Sequence, residues 1–336
     1  MVTICRPVLE ITDCGLYCPA GDFHIDPWRS VDRAVITHGH ADHARPGSRH
    51  YLTSEAGRYV LRQRLGDTAA VEGIRYGRPV TIGGARVSLH PAGHLLGSAQ
   101  VRVEVRGEVW VVSGDYKTEP DPTCEPLEVV PCHTFITEST FGLPVFRWPH
   151  QRQVLAEIER WWADNRAAGR TSVLFVYALG KAQRVLGGLE AGEAPLLGHG
   201  AVLAATESYR NAGVDLPWLD RVADDTAQDT LQRALVLAPP SAQATPWMRR
   251  LRQPSTGFAS GWMRIRGARR RRSVDRGFVL SDHADWSGLL ETIEATGAER
   301  IGVTHGQTAA LVRWLGERGH DAWSLETRFD GDLEDE

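Results

Sequence analysis

Thr37-His38-Gly39-His40-Ala41-Asp42-His43 gathers three histidines and an aspartate into seven residues, directly after an apolar run at 31–36 that reads as a strand. Neutral imidazole nitrogens bind Zn²⁺ or Mn²⁺, and a carboxylate adds charge compensation. His38-x-His40 on the loop after a strand aims two ligands at one ion, and Asp42-His43 supplies a pair for a second ion beside it. Two such metals can activate water and clamp a phosphoryl or acyl oxygen between them. The bland alternative, a His-rich surface loop, fits poorly: the chain has only 13 histidines in 336 residues.

The elements that must position this cluster can be read from periodicity. Residues 23–26 and 33–37 read as strands, and 54–65 as a helix with Ser54 as its N-cap. Residues 85–90, 100–105 and 108–113 read as further strands, the second alternating with period two. His94 follows the first and Asp115 follows the third. Residues 133–137 form another strand that ends near Glu138. Past Gly142 the texture changes to helix–strand alternation, with a helix at 151–168, a buried strand at 171–177, a helix opening at Gly180-Lys181 and a strand at 234–237, which argues for a parallel-sheet unit. A basic linker with Arg269, Arg270, Arg271 and Arg272 returns the chain to a strand at 277–280. The last part reads strand, Asp282-His283, helix, strand 300–304, His305, helix. Asp26, His38 to His43, His94, Asp115, His283 and His305 thus all fall at strand ends, where a layered fold collects distant ligands on one edge.

Composition bounds the rest. A 336-residue chain with 42% hydrophobic and 24% charged residues suits one large or two modest globular domains. No apolar stretch approaches the roughly 20 residues of a membrane span. Five cysteines without a paired framework, and no basic then apolar N-terminal leader, point to a reducing cytoplasm. Net charge is −4, but it is unevenly spread. Residues 143–276 hold 20 Lys+Arg against 12 Asp+Glu, and the remainder 18 against 30. A basic segment against an acidic body is the footprint of a polyanion held over a metal site. Lys181 at a helix start, Arg266 and Arg269 to Arg272 are the candidate phosphate contacts there.

Thr37 to His43, Ala92-Gly93-His94-Leu95-Leu96-Gly97-Ser98 and Ser113-Gly114-Asp115-Tyr116 resemble the second, third and fourth motifs of the metallo-β-lactamase superfamily, and Asp26 in Phe-His-Ile-Asp resembles the first. Thr137-Glu138-Ser139-Thr140-Phe141-Gly142, Asp282-His283-Ala284-Asp285 and Val303-Thr304-His305-Gly306-Gln307 resemble motifs A, B and C of its β-CASP branch, whose members process nucleic acids. The resemblance runs over essentially the full length and is similar to the bacterial DNA-ligase-associated exonucleases, relatives of the DNA crosslink-repair nucleases.

That resemblance implies an α/β fold, an αββα metallo-β-lactamase sandwich (1–142 and 277–330) with an inserted α/β β-CASP cap domain (143–276), while the acidic composition of the tail (331–336) reads as disorder. It implies that His38, His40 and His94 hold one divalent ion, Zn or Mn, that Asp42, His43 and His305 hold a second, and that Asp115 bridges them. Asp26 would orient a ligand histidine from behind, with Asp22 the weaker candidate. His283 would assist the departing oxygen and Glu138 would position it, making Asp42, Asp115, Glu138 and His283 the catalytic set. The implied activity is DNA exonuclease action by hydrolysis of phosphodiesters in DNA repair, with DNA as substrate and a DNA ligase among the pathway partners. An RNA-processing β-CASP ribonuclease would share every ligand. A small-molecule hydrolase would lack the long insertion, and a dead scaffold would have lost ligands, which this chain has not.

Overall fold

The computed structural model describes residues 7–326, apart from the side chain of Arg269; the acidic tail expected at 331–336 lies outside the described residues. The described chain forms two compact units, one from residues 7–120, 124–144 and 283–326, the other from Asp121–Thr123 and Val145–Asp282.

The first unit begins with strands β1 (Glu10–Thr12), β2 (Gly15–Cys18), β3 (Phe23–Ile25), β4 (Arg33–Val35) and β5 (His50–Ser54), helix α1 (Gly57–Leu65) and strand β6 (Val71–Ile74), and these six strands lie in sequence order in one sheet. Strands β7 (Val80–Ile82), β8 (Ala85–Pro91), β9 (Ala99–Val105), β10 (Glu108–Val112) and β11 (Thr134–Ser139) follow. The unit's second, seven-stranded sheet is completed by elements near the chain's end.

The second unit contributes α2 (Gln151–Ala167), β12 (Ser172–Phe175), α3 (Lys181–Gly188), β13 (Leu196–Gly198), α4 (Gly200–Asn211), β14 (Asp220–Arg221), α5 (Gln228–Arg233), β15 (Leu235–Ala238), β16 (Ser255–Ala259), α6 (Arg266–Arg271) and β17 (Arg276–Phe278). Back in the first unit come α7 (Trp286–Thr296), β18 (Arg300–Gly306), α8 (Thr308–Gly316) and β19 (Asp321–Ser324). The seven-stranded sheet has the order β19-β18-β11-β10-β9-β8-β7.

Strand periodicity sorts the first unit into four layers, because successive side chains point to opposite faces. Trp110 and Val112 of β10 and Ile136 of β11 pack with Val87, Leu89, Val101 and Val103 against Leu16, Cys18, Phe23, Ile25 and Val35 of the facing sheet. The alternate residues Val109, Val111 and Phe135 turn the other way, with Ile301 and Val303, onto Trp286, Ile293, Leu311 and Leu315 of α7 and α8. On the outside of the six-stranded sheet, Ala34, Ile36, Tyr51 and Val71 pack on Leu61 of α1. The result is the αββα sandwich that the motifs imply.

Helix α1 starts at Gly57 rather than at 54. Ser54 closes β5, and its hydroxyl accepts from Gly57 N (2.9 Å) while donating to Gly97 O (2.6 Å). It therefore fastens the helix start to the loop that carries His94 instead of capping from the helix itself.

The second unit is a six-stranded sheet, β14-β13-β15-β12-β16-β17, with every pairing parallel. Its central strands β12 and β15 are buried along their full length, as strands covered on both faces must be. The return to the first unit falls at 282/283, not at 276/277. Strand β17 pairs with β16, and Phe278 is buried with its ring 5.5 Å from that of Trp161, so these residues complete the parallel sheet.

Candidate metal centre

Strands β8, β10, β11 and β18 run in one direction: β8 and β10 each pair antiparallel with β9, and β10, β11 and β18 are parallel neighbours. Their C-terminal ends therefore share one edge. His94 follows β8, Asp115 follows β10, Glu138 lies near the end of β11 and His305 near the end of β18. In the facing sheet, β3 and β4 are parallel and lead to Asp26 and to the His38–His43 loop.

Local devices then aim the side chains. Gly114 adopts φ +56°, and a Cβ there would lie 2.6 Å from Thr37 Cβ, so only glycine lets the turn before Asp115 close onto the histidine loop. The β11–β18 register slips by one residue, pairing Glu138 with Thr304 but Ser139 with Gly306. His305 is the bulged residue, at φ +54°, held by the Ser139 hydroxyl donating to the carbonyls of His305 and Thr304. A bulge re-aims one side chain, and a left-handed non-glycine residue costs on the order of 1–3 kcal/mol. Asp26, at φ +43°, carries a similar cost. Ser98 Oγ accepts from the amides of His94 and Leu95 (3.1 and 3.2 Å) and fixes the third loop.

Two donor groups result. One ligand atom each from His38, His40, His94 and Asp115 lies within 4.8 Å of the others, and so do those of Asp42, His43 and His305. Asp115 Oδ2 lies 3.3 Å from His38 Nε2, 3.8 Å from His94 Nε2 and 3.6 Å from His43 Nε2, so one carboxylate reaches both groups. His94 Nε2 and His40 Nδ1 are 3.1 Å apart, and His43 Nε2 is 3.5 Å from Asp42. The His43 and His305 rings stack with centroids 5.1 Å apart.

Behind His43, Asp26 Oδ2 meets Nδ1 at 2.7 Å and accepts from the Thr37 hydroxyl at 2.5 Å, while Oδ1 accepts from Thr37 N at 2.8 Å. Asp22 instead accepts from Tyr17 OH. Glu138 spans His283 Nδ1 with both oxygens (3.0 and 2.9 Å) and accepts from Tyr116 N (2.8 Å). Asp285 caps α7 by accepting from Gly288 N, fixing the chain just beyond His283.

The electrostatics suit cations. Burial, and then the His43, His94, His40 and His283 rings, hold His38 well below the usual imidazole range, so its lone pair is available. Burial and His43 lower His305 similarly. Burial would lower His43 too, but Asp42, Asp115 and Asp26 outweigh it and push the ring well above the ordinary value. Burial raises Asp115. Burial would also raise Asp42, but His43, His40 and His305 bring it down to about 2. Positive charge is thus favoured in the space around His43.

His38 Nε2 is buried with no hydrogen-bond partner among the described residues, beside a carboxylate and other imidazoles. An imidazole-and-carboxylate set of this kind fits Zn²⁺ or Mn²⁺.

The expected phosphate contacts fare differently. Lys181 is buried: its ammonium pairs with Asp282 at 2.9 Å and sits 4.0 Å over the Tyr177 ring. The Gly180 amide at that helix start is taken by Gln183 Oε1 (2.8 Å). Lys181 is therefore an internal tether of the second unit and not a phosphate contact. The basic linker is in fact the short helix α6, with Ala268 packed on the core and Arg266, Arg270 and Arg271 exposed. Arg272 lays its guanidinium 4.8 Å over the Phe258 ring. Thr37, Ser98 and the Tyr116 amide are supports that motif reading passed over. Thr37 and Ser98 stand inside the quoted motifs, whereas a backbone amide leaves no trace in sequence.

No family model matches the chain. It is 32% identical over 314 residues to a probable DNA ligase of Opitutus terrae, an alignment covering 93% of this chain and 30% of that protein. It is 26% identical over 204 residues to an RNase J-like protein of Methanocaldococcus jannaschii, covering 52% of this chain and 47% of that one. It is 31% identical over 120 residues to Endoribonuclease YSH1 of Saccharomyces cerevisiae, covering 34% and 15%. The chain thus spans less than half the length of each of these relatives. A crystal structure of a protein of unknown function from Enterococcus faecalis superposes with TM-score 0.57 at 11% identity, covering 81% of this chain and 74% of that one, and shares the fold. In its sandwich, its inserted parallel-sheet unit, its motifs and these relatives, the chain is similar to the β-CASP branch of the metallo-β-lactamase superfamily.

Proposed function

We propose that the chain is a metal-dependent nuclease, a DNA exonuclease acting in the cytoplasm in DNA repair. The observation that carries this reading is the convergence of seven donor side chains from the edges of two facing sheets, with the Glu138–His283 pair beside them. Two divalent ions held by His38, His40 and His94 and by Asp42, His43 and His305, with Asp115 shared, would supply Lewis-acid activation of water and neutralise charge on the phosphoryl oxygens.

The chain's own residues do the rest. Asp26 holds the His43 ring through Nδ1 and so keeps Nε2 turned to the centre. Glu138 accepts from Nδ1 of His283, leaving Nε2 to hand a proton to the departing oxygen. Exposed Arg266, Arg270 and Arg271 give the phosphate backbone a cationic surface.

The probable DNA ligase, aligned over nearly the whole of this chain, supports DNA as substrate and a ligase as pathway partner. The ribonuclease names among the other relatives favour the second reading, RNA processing. End-labelled single- and double-stranded DNA and RNA, 5′-phosphorylated or not, digested with Mn²⁺ and with Zn²⁺, separate the two. Stepwise shortening of DNA from one end supports the exonuclease, internal cuts in a circular DNA refute exonuclease action, and cleavage confined to RNA refutes the DNA assignment.

A further inference from the structure

We propose that the second unit carries its own cleft for a single-stranded nucleic-acid segment, with Arg249 and Arg252 on its phosphates and Trp247 against a base. The proposal rests on the nucleic-acid reading above and adds a contact that no metal-site or motif residue supplies.

The cleft measures about 620 Å³ and lies between two segments. One, with Asp224, Thr226 and Gln228, follows the C-terminal end of β14; the other, Pro246 to Arg252, follows that of β15. These strands flank β13, and all three are parallel, so their carboxyl ends share the edge where open α/β sheets collect ligands. His199, the first residue after β13, packs edge-on against Trp247 with ring centroids 5.1 Å apart and braces the indole in the cleft wall.

The lining selects an anion with flat apolar parts. Arg249, Arg250 and Arg252 are all exposed, and residues 246–252 contain no acid. Asp224 pairs with Arg250, whereas neither Arg249 nor Arg252 makes an ion pair among the described residues. Burial, then Arg221 and Arg250, hold His199 below the ordinary imidazole range. Guanidiniums next to a braced indole match a strand that offers phosphates and stackable bases, which is how single strands are gripped without sequence preference. An acidic peptide without aromatic residues, such as polyglutamate, offers the charge but nothing to stack.

Anisotropy of a fluorescein-labelled phosphorothioate oligothymidylate, which resists hydrolysis, tests this with the full chain between about 50 and 200 mM salt. The Arg249→Ala/Arg252→Ala double variant should bind about tenfold more weakly and lose about 1.4 from its log–log salt slope, two phosphate contacts' worth for a single strand. Arg249→Lys/Arg252→Lys should restore the slope, and Trp247→Leu should weaken binding about fivefold or more with the slope kept. Unchanged affinity and slope in a double variant whose circular dichroism matches wild type would overturn the cleft. So would displacement of the probe by polyglutamate or by thymidine monophosphate as readily as by unlabelled strand. Hydrolysis together with Arg-independent binding refutes the cleft alone. Arg-dependent binding by a chain that cleaves no phosphodiester refutes the hydrolytic reading alone.

Discussion

Replacing Asp26 by Asn should weaken one metal position and spare the other. The Asp26 carboxylate accepts three times, from Thr37 N, from the Thr37 hydroxyl and from His43 Nδ1. An Asn side chain has one acceptor oxygen, so whichever way the amide turns, its NH₂ faces at least one of these donors. The charge that favours a cation around His43 falls as well. Loss of such a supporting carboxylate typically costs about 10–100-fold in metal affinity, which is about 1.4–2.8 kcal/mol. The loss should appear at the position built from Asp42, His43 and His305. The His38, His40 and His94 position, whose ligands Asp26 does not touch directly, should change by much less. Calorimetric titration of chelator-treated protein with Mn²⁺ or Zn²⁺, wild type against Asp26→Asn, resolves the two steps. Equal weakening of both steps, or no change in either, would refute the reasoning.

Other substitutions separate chemistry from scaffold. Glu138→Gln removes the negative charge that supports His283 Nδ1–H and should lower kcat by about 10²–10⁴-fold while leaving bound metal, read by elemental analysis, at the wild-type level. Lys181→Met removes the ammonium that pairs with the buried Asp282 carboxylate and should destabilise by about 3–5 kcal/mol in urea denaturation, and a Lys181→Met/Asp282→Leu double variant should recover most of that loss. Gly114→Ala forces a left-handed alanine whose Cβ would sit 2.6 Å from Thr37 Cβ, so both metal affinity and melting temperature should fall. A variant that crystallises with the Asp115 turn unmoved would contradict that assignment.

Much of this architecture is legible in the chain. Period-two alternation in residues 108–112 places Val109 and Val111 on one face and Trp110 and Val112 on the other, and the four layers follow from that division. The clustered donor positions are legible because a metal would demand particular side chains at short spacings, here seven residues for four candidate donors. What was not legible depends on partners far along the chain. Lys181 looks like a phosphate contact until Asp282, remote in sequence, is found against it. The strand at 276–278 buries only Phe278, which either sheet could take, and only its pairing with β16 assigns it. The bulge at His305 is a register event between β11 and β18, invisible in either strand alone.

The most direct measurement is hydrolysis of an end-labelled oligonucleotide by chelator-treated protein with and without added Mn²⁺ or Zn²⁺, for wild type and for Asp115→Ala. Asp115 is the carboxylate that reaches both donor groups. The account predicts cleavage only when metal is restored, and none with Asp115→Ala at any metal concentration. Metal-independent cleavage, or an Asp115→Ala protein that cuts like wild type, would contradict it.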